Sequence, residues 1–166
     1  MALVDALLPE FDHEMASTRT VLERVPEERF GWKPHAKSFS LGALATHVAM
    51  LPTWATMTLA RGELDLDPNQ QPHPALPSRA DVLSAFDKNV ADARAALTGR
   101  TDGELMATWS LKRGGRTLFT MPRTAVLRSF VLNHLVHHRG QLTVYLRLLD
   151  ISVPSIYGPS ADEPAF

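Results

Sequence analysis

Val4, Leu8, Phe11, Met15, Thr18, Leu22 and Val25 recur at alternating spacings of four and three residues. That rhythm draws one stripe along an α-helix, and a helix with a single apolar stripe must bury it against other elements. It predicts a helix from about Ala2 to Val25, stopped by Pro26. Three more segments repeat the pattern. Leu41, Leu44, Val48 and Leu51 belong to a second helix that starts at Ser38 or Ser40, either of which can cap it, and runs to about Arg61. Pro52 lies inside this helix, where it removes the bond to the Val48 carbonyl and bends the axis. Val82, Phe86, Val90, Ala93 and Leu97 define a third helix, capped by Ser78 with Asp81 three residues on and ended by Gly99. The last begins near Pro122 and continues to about Leu149. The expected fold is all-α, a four-helix bundle in one domain spanning residues 1–166.

The connections read as ordered loops. Pro26 to Lys37 tucks Phe30 and Trp32 inward, and Gly62 to Pro77 is polar and proline-rich. Thr101 to Glu104 looks like a short helical start. Trp109–Leu111 and Thr117–Phe119 flank Lys112–Arg116 as a minor hairpin before the last helix. The tail from Ile151 to Phe166 is expected to lie extended over the surface.

Composition narrows the chemistry. The chain has no cysteine, so disulfides, thiolate ligands and cysteine nucleophiles are excluded together. A formal net charge of −1 without a basic stripe offers nucleic acid no footprint. No window holds the ~18 consecutive apolar residues of a membrane span. The first residues lack the positive region of a signal peptide, so a cytoplasmic location is expected.

Seven histidines then stand out. His134 and His138 are four apart, which places both imidazoles on one helix face, one turn apart, able to converge on one ion. His137 is the rival of His138, since a spacing of three also allows shared ligation. His47 sits mid-helix among apolar neighbours. Alone it reads as a hydrogen-bonded core residue, but a bundle can bring it to face the pair. Gln141 follows His138 by three and is a candidate for contacting substrate. Arg139 suits an ion pair that orients the helix, and Gly140 within a helix hints at close packing. Near His13, Asp12 or Glu14 can accept a proton from a liganding imidazole. His35 and His73 lie in Pro-flanked loops and are given no role. Trp32, Trp54 and Trp109 read as core or pocket wall. No nucleophile–base–acid arrangement is visible, and no catalytic residue is assigned.

Trp32-Lys33-Pro34 through Ser38-Phe39-Ser40-Leu41-Gly42-Ala43-Leu44-Ala45-Thr46-His47 resembles the W-x-P…S-x-G-x-L-x-x-H block of the DinB-like superfamily. His134-Leu135-Val136-His137-His138-Arg139-Gly140-Gln141 resembles its H-x-x-x-H-R-G-Q block. The resemblance spans nearly the whole chain, with both blocks in order. It implies a four-helix bundle and one divalent metal ion per chain, nickel or zinc, on His47, His134 and His138. It also implies a homodimer and, in one branch of the family, transfer or isomerisation with a low-molecular-weight thiol. Three imidazoles and no other protein ligand leave coordination positions open, as catalytic sites do and structural zinc sites do not. The expected function is a metal-dependent transferase or hydrolase acting on a small molecule. The alternatives are a metal-binding stress-response protein without turnover, or a metal that only pins helices.

Overall fold

The first helix forms as the stripe dictates. In the computed structural model, which describes residues 2–69, 71 and 74–164, α1 spans Leu3–Glu23 and buries Val4, Leu7, Phe11, Met15 and Leu22. The Asp5 carboxylate accepts the Ala2 amide at 2.9 Å, satisfying one otherwise free donor at the helix start. α2 (Leu41–Met50) begins where Ser40 Oγ accepts the Ala43 amide at 3.2 Å. The Phe30 and Trp32 carbonyls take the Gly42 and Leu41 amides at 3.0 and 2.9 Å. The loop before α2 thus closes its first turn with backbone oxygens.

Pro52 does more than bend the second helix. α2 stops at Met50 and α3 (Thr53–Ala60) starts anew, with the Leu51 amide turning back to the Val48 carbonyl at 3.3 Å. The missing proline N–H leaves Val48 without its helical partner, and a tighter i→i+3 bond takes its place. α4 (Arg79–Leu97) is capped by Ser78, whose Oγ accepts the Asp81 amide at 3.0 Å. α5 (Asp102–Met106) is a short turn held by Thr101 and Glu104.

A three-stranded sheet accompanies the helices, so the fold is mostly helical and not all-α. β2 (Thr108–Arg113) and β3 (Arg116–Pro122) form the antiparallel hairpin around Gly114 and Gly115, both at positive φ, 58° and 79°. Such a two-residue turn matches strand twist only with left-handed residues, which glycine adopts without strain. β1 (Glu63–Leu66) lies in the segment expected to be a loop and pairs in parallel with β2, Glu63 opposite Ser110. The stretch Glu63–Leu66 of this connection is therefore sheet; Gln70, Pro72 and His73 lie outside the described residues, as do Ala165 and Phe166 of the tail.

The last helical column is not uniform. α6 (Arg123–Val126) passes into a π-helical segment, Leu127–Asn133, and then α7 (His134–Leu148). The i→i+5 bonding ends where the first histidine of the pair begins, a placement frequent at functional sites. α1 and α2 each pack on α4 and α7, and α3 packs on α4 and the π segment. One core fills the space between the helices. A second, built on Trp109, Leu111 and Val126, joins the sheet to Trp54 and Phe130. Among the described residues, no helix is long and apolar enough to cross a membrane.

Candidate metal centre

α2 and α7 face each other, and His47 meets His134 and His138 across that contact. His47 Nε2 lies 3.4 Å from His134 Nε2, and one ring nitrogen from each of the three histidines lies within 4.8 Å of the others. Ring centroids are 5.2 Å apart for His47–His134, 4.4 Å for His47–His138 and 4.7 Å for His134–His138. Two imidazole nitrogens bound at 2.0–2.1 Å to a tetrahedral ion sit ~3.3 Å apart. The first pair already has that spacing, so these residues fit a metal.

The electrostatics agree. Burial pushes His47 down to about 4, with further lowering from His138 and His134. Burial also lowers His134, opposed by a hydrogen bond with the Phe130 backbone, and lowers His138, opposed by Gln141. Three imidazoles kept neutral present lone pairs and no proton charge, the form that ligates.

Gln141 is engaged on both amide atoms by its own helix. Its Oε1 is 2.7 Å from His138 Nδ1 and its Nε2 is 3.2 Å from His137 Nε2. With Oε1 accepting, His138 carries its proton on Nδ1, which leaves the Nε2 lone pair as the one it can offer a metal. His137 is exposed and outside the triad, and acts as the acceptor that holds the amide in this orientation.

Phe39 went unnoticed in the sequence. It stacks on His47 at 5.8 Å and 18° and meets His138 edge-on at 6.4 Å, covering two of the three rings while 46% exposed itself. Its carbonyl accepts the Tyr145 hydroxyl at 3.2 Å, and Trp32 packs edge-on against Tyr145 at 5.5 Å. Its place between two serines able to cap, ahead of an apolar helix, was the available signal: an aromatic there has little local reason to be large.

The acids beside His13 are occupied elsewhere. Asp12 pairs with Arg94 across to α4. Glu14 is buried, with Oε2 2.7 Å from Arg139 Nη2, and accepts the Tyr157 hydroxyl at 2.7 Å. Neither orients a triad imidazole; Gln141 does so for His138. Gly140 is not a close-packing point either, since an added Cβ would meet nothing within 4 Å. The tight glycine is Gly42, whose Cβ would fall 2.8 Å from the Phe30 ring. His35 accepts the Lys37 amide in its loop. Trp109 is core, and Trp54 is half-buried.

Beside His47 lies a cavity of about 890 Å³ between α2, α3 and β1. The Pro52 break turns Trp54 and Met57 of α3 onto one wall, and β1 supplies Leu64 and Leu66 on another.

A sequence model of the DinB family matches residues 2–165. The chain is 26% identical over 163 residues to the uncharacterized protein YrdA of Bacillus subtilis strain 168, covering 96% of this chain and 91% of that protein. Its fold is similar to the crystal structure of a DinB-like protein from Bacillus cereus ATCC 10987, with a TM-score of 0.73 at 23% identity over 92% of this chain and 97% of that one. The DinB-like protein YjoA of Bacillus subtilis gives a TM-score of 0.70 at 18% identity with the same coverages.

Proposed function

The chain belongs to the DinB family, and on that premise we propose that it is a metal-dependent protein acting on a small molecule, with His47, His134 and His138 holding one divalent ion, zinc or nickel. The four helical columns are then a four-helix bundle whose α2–α7 seam carries the site. The observation that supports this most is the 3.4 Å approach of two imidazole nitrogens with no acid between them. At that distance two neutral imidazoles can share at most one long N–H···N hydrogen bond, whereas a cation draws on a lone pair from each of the three rings.

A bound divalent ion supplies Lewis acidity and lowers the pKa of a thiol or water beside it. The rest falls to the chain. His138 keeps its ligating tautomer through Gln141, Phe39 excludes water from one side of the triad, and the cavity beside His47 admits a reactant. The reaction this suits is transferase or hydrolase chemistry with a low-molecular-weight thiol as one reactant, in a reducing cytoplasm. A metal-binding protein without turnover is the second reading. It is favoured by the commitment of the buried carboxylate Glu14 to Arg139 and Tyr157. Association as a homodimer belongs to the same proposal, with the exposed Val144 and Leu148, one turn apart on α7, as its contact; sedimentation of the purified chain tests it.

Elemental analysis tests the site. About one ion per chain is expected, lost in His47→Ala and His134→Ala and kept in His137→Ala. Full metal content in His47→Ala would refute the three-ligand site. Small thiols that raise the melting temperature of the metal-loaded protein alone favour the transferase reading. Thiols that shift neither form favour the second.

A further inference from the structure

We propose that the cavity between α2, α3 and β1 seats a small molecule with an apolar body, aromatic or branched aliphatic, whose donor group reaches toward His47. The donor end rests on the metal-site reading; the apolar seat stands without it.

Size comes first. About 890 Å³ is within the range of sites that enclose drug-sized ligands, roughly 300–1,000 Å³. The walls come next. Phe39, Met50, Trp54, Met57, Leu64 and Leu66 present ring faces, thioethers and branched carbons. Trp54 is held by stacking on Phe130 at 5.8 Å, so one wall is rigid. Met50 and Met57 can reshape around different apolar bodies.

Polar groups decide the class. Among the described residues, each of the cavity's two hydroxyl side chains is held by backbone: Thr46 Oγ1 accepts the Leu76 amide at 2.9 Å, and Thr53 Oγ1 donates to the Met50 carbonyl at 2.7 Å. The other polar side chains, Asp65, Asp67, Gln71 and Arg113, are exposed, and the three charged ones are tied to nearby backbone. Asp65 accepts the Gly115 amide and Asp67 the Asn69 amide, each at 2.8 Å, and Arg113 donates to the Pro68 carbonyl at 3.2 Å. A sugar or nucleotide body laid against Phe39, Met50, Trp54, Met57, Leu64 and Leu66 would lose water on those faces without replacement, at about 1–3 kcal/mol for each unpaired group. An apolar body loses nothing of the kind. His47 lines the cavity and brings the triad to its wall, so a ligand's one polar group has its place there.

The test uses the full chain, zinc-loaded and metal-stripped, titrated with 2-naphthalenemethanethiol, 2-naphthalenemethanol and 2-mercaptoethanol by calorimetry and tryptophan quenching. The naphthyl thiol should bind the loaded protein at least about tenfold tighter than 2-mercaptoethanol, and the naphthyl alcohol should bind both forms alike. Ala43→Leu pushes a branched side chain into the cavity one turn before His47. It should weaken both naphthyl ligands about tenfold and leave zinc content unchanged. Leu66→Asn on β1 should do the same, so a folding fault in the α2 variant does not decide the matter. Naphthyl ligands that bind no tighter than 2-mercaptoethanol, or that ignore both substitutions, overturn the seat. If neither zinc nor nickel loads, the metal reading fails, yet naphthyl alcohol binding that both substitutions weaken still upholds the seat. Zinc that loads without naphthyl binding overturns the seat and leaves the metal site standing.

Discussion

Two polar clusters share helix α7, one residue apart in sequence and about 100° apart around its axis. Arg139 turns to α1, where its guanidinium donates to the Glu14 carbonyl and Thr18 Oγ1 at 3.2 Å and pairs with the Glu14 carboxylate. Tyr157 from the tail donates to that carboxylate and accepts from Arg139 at 2.6 Å. Donors there have acceptors, and charges cancel. His138 turns to α2, where it meets His47, with His134 beside it one turn back on α7, and no carboxylate contributes to any of the three shifted pKa values. That face gathers acceptors and supplies no cation. Completed polar clusters hold folds together; a cluster of one sign of need is where something else binds.

Stability should follow the Arg139 face of α7, and metal the histidine face. Arg139→Met leaves Glu14 buried without its cation, and losing one partner of a buried pair costs about 3–5 kcal/mol. Denaturant unfolding should show that loss, while the folded fraction keeps its metal. His134→Ala should do the reverse, with no bound ion and near-unchanged stability of the metal-free chain. Arg139→Met with undiminished stability would remove the structural half of the contrast.

Metal itself should matter less than Arg139. At a free ion concentration of 100 times its dissociation constant, binding to the folded form alone adds about 2.7 kcal/mol. The metal-free chain should stay helical with a modestly lower melting temperature, because the cores are built from apolar side chains that need no ion. Circular dichroism before and after chelation checks this; outright unfolding on chelation would make the ion structural.

The pH response follows from the depressed imidazoles. A histidine of the unfolded chain titrates near 6.5, whereas folded His47 resists protonation to about 4, and His134 and His138 are lowered too. Between those values the unfolded state binds more protons, so stability rises with pH there. The contribution is full above about pH 6.5 and is lost as the pH falls toward 4. His47 and His134 are partly exposed, which makes this smaller than the metal effect. Melting temperatures of the metal-free protein across that window should fall more in the wild type than in His47→Ala. A parallel fall would place the proton-sensitive groups elsewhere.

Much of this was legible in the chain because periodicity and spacing are local. The 4-3-4 stripe gave α1, Ser78 the start of α4, and two glycines the β2–β3 turn. His134 and His138 share a face by arithmetic alone. What escaped depends on partners distant in sequence. β1 needs β2 as a neighbour, though the alternation Glu63-Leu64-Asp65-Leu66 carried a period-two signal within a proline-rich loop. The π segment has no sequence mark, as neither Gly nor Pro interrupts Leu127–Asn133. Tyr157 reaches Glu14 across 143 positions, a contact no spacing rule suggests.

The two family-block glycines sharpen the contrast on a smaller scale. Gly42 sits under Phe30 with no room for a methyl group, and a strained insertion into packed structure costs about 1–3 kcal/mol. Gly42→Ala should therefore destabilise, and by disturbing the Phe30–Trp32 loop it should loosen the support of Phe39 over His47. Gly140 occupies the third face of α7, exposed, helical and with open space where a Cβ would go. Alanine there removes the entropy cost that glycine imposes on a helix interior, up to about 1 kcal/mol, and touches neither the Arg139 cluster nor the imidazoles. Gly140→Ala should raise the melting temperature slightly and keep the metal. If it instead expels metal without destabilising the chain, the exposed face of α7 takes part in the site, through a reactant or a second copy of the chain that needs the space the glycine leaves.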